Sequence, residues 1–530
     1  MEDRKSVIEQ GRCVLGIEFG STRIKASLVD DKFEPIAAGD HAWENRLENG
    51  IWTYHYEDII SGLQDCYRSL KDDVSRKYGV TLKRVGCIGI SGMMHGYIPL
   101  DEEQNPLTEF RTWRNTITGE AAMELTEAFD FNIPQRWSIA HLYQAVLNKE
   151  SHLDNIYSLT TLAGYIHYRL TGRLVVGIGE GSGIFPIDTE KGTYDEQMMK
   201  KMNELCQKHM RQWDVEDMLP RLLPAGSKAG ILTAEGAKLL DPDGDLEVGI
   251  PFAPPEGDAG TGMVATNSVR VRTGNVSAGT SDFAMVVVDR KLGVHREIDM
   301  VTTPAGAPVA MVHCNNCTSD INAWVQLLAE FSGLVGGETD MGKIFPLLFN
   351  KAMEGDKDCG GLLSFNYFSG EGVTNLDAGK PLFLRRPDAK FTLANFMRTH
   401  IMSALATLKL GLDILTKEEM VVIDKMYGHG GFFKTPGVGQ SILAAAVDAP
   451  ISVMETAGEG GPYGMALLSA YTIWGEEDET LEEFLEHKVF KDANSTTLTP
   501  DSEDVRGFNQ FAEAYKEALA VEREAIKVTC

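Results

Sequence analysis

The sequence predicts an α/β protein with more than one domain. Three observations carry this. Apolar, strand-like runs alternate with amphipathic helical stretches along the chain, the pattern of strands covered by helices. At 530 residues the chain exceeds what one core serves, and two to four domains is the ordinary expectation. A strand–turn–strand unit near the start is echoed in the second half, which points to duplication.

The first unit is "VLGIEFGSTRIKASLVD", residues 14–30, in which Gly20, Ser21 and Thr22 join two apolar runs just after Glu18. It reads as a hairpin. "YEDIISGLQDCYRSLKDDVSRKYG" follows at 56–79. Ile59, Ile60, Leu63, Tyr67, Leu70 and Val74 fall on one helical stripe, and Gly79 stands where a helix-ending glycine belongs. This helix feeds "VGCIGISGMMHGYIPLD", an apolar strand with a glycine-broken end. In the second half, "NVSAGTSDFAMVVVD" at 275–289 repeats the hairpin, with Gly279, Thr280 and Ser281 at its turn. In both units an Asp, Asp30 or Asp289, stands ten positions after the glycine. A long helix over "LANFMRTHIMSALATLKLGLDIL" precedes a buried strand over "MVVIDKMYGHGG", residues 420–431. The tail, "VRGFNQFAEAYKEALAVEREAIK", reads as a charged amphipathic helix.

Composition narrows the function. Hydrophobic residues make up 43% and charged residues 24%, as in soluble globular proteins. The net charge of -27 repels phosphate backbones, so no nucleic-acid partner is expected. It does not forbid a nucleotide, because Mg²⁺ and backbone N–H groups neutralise phosphates locally. The polar start, "MEDRKSVIEQGR", has no apolar core of a secretory leader, and a cytoplasmic protein is expected. No apolar run approaches the ~20 residues that span a bilayer. Eight scattered cysteines suit a reducing compartment. The C-x-x-C at Cys314 and Cys317 has no second pair and is read as packing at the start of a helix.

The turns suggest chemistry. A glycine turn allows close backbone approach, its N–H groups converge on an anion, and flanking hydroxyls add donors. Each turn alone reads as a plain hairpin; two of them facing one another would hold a polyphosphate from both sides. "PFAPPEGDAGTGMVATN" places Asp258 in a glycine-rich turn, where a carboxylate either takes a proton from a substrate hydroxyl or organises its own loop. Gly430 and Gly431 leave a flat surface at a strand end, and "ETAGEGGPYGMALLSAY" is another glycine-rich helix entry. His141, His152 and His167 show no ligand spacing and are read as structural.

The ordered set of motifs resembles the FGGY family of carbohydrate kinases, within the sugar kinase, Hsp70 and actin superfamily, and most of all its xylulokinase-like branch. "LGIEFGSTRIK" resembles the family's first phosphate loop and "SAGTSD" its second. "GISGMMHG" resembles the segment that touches the sugar, and "EGDAGTG" the loop of the catalytic Asp. "GHGG" and "AGEGGPYGMALLSA" resemble the adenosine-binding part. The resemblance implies two ribonuclease-H-like (actin-like ATPase) α/β domains with an interdomain cleft, a sugar-binding domain at 1–264 and a nucleotide-binding domain at 265–530. It implies an ATP-dependent, Mg²⁺-assisted kinase acting on a small sugar, with xylulose as the default ketopentose. Another ketose, a polyol, a keto-aldonate, or a catalytically silent sugar-binding relative are the alternatives. By the same resemblance Asp258 is the general base, and Met94, His95, Trp113, Asn115 and Glu180 line the sugar. Gly20, Ser21, Thr22, Lys25, Gly279, Thr280, Ser281, Gly430 and Gly431 hold ATP. Glu18, where the family has Asp, reaches Mg²⁺ through water. The partners expected are the sugar and ATP, with no nucleic acid and no membrane; a homodimer is left open.

Overall fold

The computed structural model describes residues 2–454 and 460–528. Two compact units divide the chain. Unit 1 comprises Met1–Val269, Met300–Val309 and Glu459–Asp492; unit 2 comprises Arg270–Asp299, Ala310–Gly458 and Ala493–Cys530.

Unit 1 begins with β1 (Cys13–Phe19), β2 (Arg23–Asp30) and β3 (Pro35–Ala42). They form an antiparallel meander whose first register runs from Cys13↔Asp30 to Phe19↔Ile24. α1 (Tyr56–Tyr78) then leads to β4 (Cys87–Gly92), which pairs parallel with β1. β5 (Pro251–Phe252) lies parallel on β4, and α2 (Asp258–Ala265) follows. The resulting order is β3-β2-β1-β4-β5 within a seven-stranded sheet.

Unit 2 repeats this order. β6 (Thr273–Ala278) and β7 (Asp282–Val287) form an antiparallel hairpin, and β8 (Pro308–Cys314) lies beside β7. α3 (Leu393–Asp413) precedes β9 (Lys425–His429), which pairs parallel with β6. α4 (Val438–Val447) leads to β10 (Ile451–Met454), parallel to β9. The order β8-β7-β6-β9-β10 again sits in a seven-stranded sheet. The duplicated hairpin is therefore the nucleus of two sheets of one topology. The chain returns to unit 1 as α5 (Gly460–Trp474).

Strand alternation explains the layers. Leu15, Ile17 and Phe19 of β1 pack in one core with Ile59, Leu63, Tyr67 and Leu70 of α1. Each such fully buried side chain contributes about 1.5–3 kcal/mol. Gly16 and Glu18 point to the other face, where α5 lies so close that a Cβ on Gly16 would stand 2.1 Å from Pro462 O. α1 ends as the sequence predicts, on Gly79 at φ 67°, whose N–H donates to Ser75 O. Toward its C-terminal half, Lys71 Nζ donates to carboxylates of Asp241, Asp243 and Asp245 at 2.8, 3.2 and 2.8 Å. That ammonium fastens the "DPDGD" loop onto α1.

One element differs from its expected extent. Residues 420–424 are not strand: β9 starts at Lys425, and Met420 and Val422 are 69% and 54% exposed. The helix unwinds through a π turn at Ile414–Glu418, and Met420 takes φ 53°. The chain is turning there, so its apolar residues lie outside the sheet. Among the described residues no helix is long and apolar enough to cross a membrane.

Candidate active site

The first turn joins β1 to β2, with Gly20 N–H donating to Arg23 O at 3.0 Å. Its carbonyls are taken up from behind. The Trp43 indole N–H donates to Gly20 O at 2.7 Å, the Tyr54 hydroxyl to Ser21 O at 2.6 Å, and Trp43 N–H to Thr22 O at 3.2 Å. Trp43 and Tyr54 stack with centroids 4.1 Å apart, which stiffens the clamp. With its acceptors occupied, the turn offers its remaining N–H groups and the Ser21 and Thr22 hydroxyls, an anion-binding set. Lys25 stands opposite Glu18 on β2 and is exposed.

The second turn is built on the same plan with different residues. Gly279 N–H donates to Ser281 O at 2.9 Å. Gly279 O accepts from Thr318 N–H at 3.0 Å and from its hydroxyl at 2.7 Å, and Thr280 O accepts from Cys317 N–H at 2.9 Å. The "HCNNCTSD" segment thus tethers this turn by its backbone, just ahead of the helix Ser319–Leu334. Its two thiols are free and buried, and burial pushes both well up. Gly430 follows β9 at φ 102°, and a Cβ there would stand 2.4 Å from Ala278 O at the base of the second turn. Gly431 has open space around it. Phe432 and Phe433 are buried and close the strand end. Of the "AGEGGPYGMALLSA" segment, Ala457, Gly458 and Glu459 lie outside the described residues.

In unit 1 the other candidates gather around α2. Glu256 and Gly257 pair with Ser91 and Gly92 at the end of β4, so the "EGDAG" and "GMMHG" loops leave the sheet side by side. Asp258 opens α2, and its Oδ1 accepts the Met94 N–H at 3.1 Å. Met94 and His95 are buried, and His95 takes φ 71°. Its Nδ1 lies 3.3 Å from Gly183 O, and its ring stacks on Trp137 at 6.0 Å. A Cβ on Gly183 would stand 2.5 Å from that Nδ1, and one on Gly257 would stand 2.6 Å from Glu180 Oε2. Met94, His95, Glu180 and Asp258 therefore share one small region.

Trp113 and Asn115 are placed differently. Trp113 is half-buried against the α1 core. Asn115 spends its amide on backbone: Oδ1 accepts from Trp52 N–H at 2.8 Å, and Nδ2 donates to Trp52 O and Thr112 O at 2.8 and 2.9 Å. Arg114 is exposed and lies 4.2 Å over the Trp52 ring.

The electrostatics are those of crowded acids. Burial first, then Asp258, pushes the Glu18 carboxyl up to about 7, against the pull of Lys25. A Cβ on Gly461 would stand 2.1 Å from Glu18 Oε1, so the first turn of α5 rests on this carboxylate. Burial raises Asp258, with the Met94 N–H opposing. Burial also raises Glu180 well above the carboxylate range, and Glu256 and Asp258 add to the rise. Glu256 itself, absent from the sequence-based set, is pushed by burial up to about 8. In unit 2, Asp282 beside the second turn is raised well up by burial and by Glu371.

Comparison with known proteins places this arrangement. Residues 13–264 match the N-terminal domain, and residues 274–473 the C-terminal domain, of the FGGY family of carbohydrate kinases. The chain belongs to this family. It is an ATP-dependent sugar phosphotransferase with the two-domain α/β fold of the FGGY kinases. Among its relatives is a xylulose kinase from Haemophilus influenzae, 22% identical over 518 residues, covering 94% of this chain and 98% of that one. Its fold is also that of a ligand-bound xylulose kinase from Lactobacillus acidophilus, at TM-score 0.78 and 16% identity, with 97% of this chain and 99% of that chain covered. A gluconate kinase from the same organism matches at TM-score 0.78 and 16% identity over the same shares.

Proposed function

We propose that this kinase transfers the γ-phosphoryl group of ATP to a hydroxyl of a neutral ketose, D-xylulose being the first candidate, with Asp258 as general base. The supporting observation is the gathering of Asp258 with Met94, His95 and Glu180, its carboxylate fixed by the Met94 N–H. In that reading Asp258 accepts the proton of the attacking hydroxyl, the oxygen bonds to the γ-phosphorus, and the bond to ADP breaks. Phosphoryl transfer asks mainly for positioning and charge neutralisation. The turns at Gly20–Thr22 and Gly279–Ser281, with Lys25, are the phosphate-binding elements, and Gly430 and Gly431 flank the adenine. Trp113 shapes the sugar side, and Asn115 acts by holding Trp52. The sugar falls to residues 1–264 and the nucleotide to 265–530.

The donor set fits Mg²⁺. Burial and then Asp258 raise the Glu18 carboxyl; a divalent cation would relieve such a pair of acids, and Glu18 would hold it through water. When bound, Mg²⁺ neutralises the phosphate oxygens.

The neutral substrate follows from charge. Glu18, Glu180, Glu256 and Asp258 crowd the region, and a keto-aldonate would add another carboxylate to them. Arg114, the cation next to Trp113 in the chain, is engaged on Trp52. D-xylulose, a polyol and a keto-aldonate assayed side by side by coupled ADP detection test this. Turnover is expected with the ketose, and Asp258→Asn is expected to lose ~10²–10⁴-fold. Faster turnover on the keto-aldonate overturns the substrate reading. ADP release that ignores every sugar, or an Asp258→Asn enzyme near full activity, overturns the mechanism.

A further inference from the structure

Glu180 is carried by a four-residue helix, Ile178–Gly181, that begins at Gly177 and so has no side-chain cap of its own. Glu256 supplies one from elsewhere in the chain. Its Oε2 accepts the N–H of Glu180 at 2.7 Å and its Oε1 that of Gly179 at 3.3 Å. Gly177 N–H is held as well, by Pro255 O at 2.7 Å. The fit leaves no room for side chains: a Cβ on Gly177 would stand 2.0 Å from Glu256 Oε1, and one on Gly179 would stand 2.6 Å from Oε2. Glu256 is 1% exposed, paired with Ser91 at the end of β4, and two residues ahead of Asp258.

Glu180 is the reason this tether matters. It is 0% exposed, and among the described residues neither of its carboxylate oxygens has a partner in hydrogen-bond geometry. The Thr161 hydroxyl pulls against the upward shift of this carboxyl. A buried carboxyl left open in this way is costly, and a ligand hydroxyl is one group that would complete it. Its Oε2 lies against Gly257, next to Asp258.

We propose that Glu256 is a positioning residue for the sugar: its carboxylate holds the Ile178–Gly181 turn so that Glu180 presents its open carboxyl to a substrate hydroxyl beside Asp258. This rests on the sugar-kinase reading above. Glu256 touches no substrate; it fixes the group that does. Burial first, then Glu256 and Asp258, raises the Glu180 carboxyl.

The test uses the full-length enzyme with D-xylulose as probe. Glu256→Gln keeps the volume but presents one acceptor oxygen to two N–H groups. The KM for D-xylulose is expected to rise about tenfold, while kcat holds within about threefold and the KM for ATP within about twofold. Amide hydrogen exchange at Gly179 and Glu180 is expected to quicken, with the turn at Gly20–Thr22 unchanged. If Glu256→Gln does not fold, Glu256→Asp, shorter by one methylene, is read in its place with the same expectations. An unchanged sugar KM, or sugar and ATP KM values rising together, overturns the proposal, as does unchanged exchange at Gly179 and Glu180. A wild-type enzyme that ignores all sugars sinks the kinase reading instead, and exchange, which needs no substrate, then decides the tether.

Discussion

Asp258 shows how much a single residue depends on its neighbours. The Met94 N–H points its carboxylate, and burial raises the carboxyl. Glu18 shows the cost of the same crowding. Its carboxyl is raised to about 7 in the fold against an ordinary 4.5. The folded state therefore holds this proton more tightly than the unfolded chain does, and its contribution to stability falls as pH rises from about 4.5 to about 7. Glu18→Gln removes the penalty. In magnesium-free buffer its melting temperature is expected to exceed wild type above pH 7 and to converge with it below pH 4.5. Equal melting curves at pH 8 would refute this. Glycine-rich context marks Met94, His95, Glu180 and Asp258 in the sequence. Glu256 stands in the same glycine-rich stretch as Asp258, but its role does not show there, because the N–H groups it holds lie 76 and 77 positions away. Asn115 misleads in the opposite way: an amide in a sugar motif looks available until Trp52 is seen to occupy it.

At the scale of elements, periodicity made α1 legible, since its stripe and its end at Gly79 are properties of local sequence. β9 was legible only in part, because exposure of Met420 and Val422 is decided by where the chain turns and not by their hydrophobicity. The seat of α5 is set by glycines whose role needs the partner backbone. A Cβ on Gly464 would stand 1.9 Å from Thr261 O, which is rigid main chain. Gly464→Ala is expected to destabilise by about 1–3 kcal/mol or more in urea melts, although alanine is the better helix former. The Lys71 pin makes a second prediction. Asp241, Asp243 and Asp245 surround an ammonium as oxygen ligands surround a hard cation. Lys71→Ala is expected to lower the melting temperature, and millimolar calcium to restore part of the loss while leaving wild type unmoved. No calcium response would show that the loop opens once the ammonium is gone.

For the whole molecule, the duplicated strand order β3-β2-β1-β4-β5 and β8-β7-β6-β9-β10 accounts for the echo seen between residues 14–30 and 275–289. The net charge of -27 makes the fold self-repelling. Thermal stability is expected to rise as salt goes from low levels to about 0.2 M, where exposed charges are screened; a midpoint that falls would contradict it. The rear bracing of the two turns, by Trp43 and Tyr54 in one half and by Cys317 and Thr318 in the other, reaches further. Each loop is held in its shape by the fold itself, with no ligand needed to order it. If the two loops hold phosphate as proposed, the entropy of ordering is met once at folding and not at each binding event, which tightens their hold on an anion.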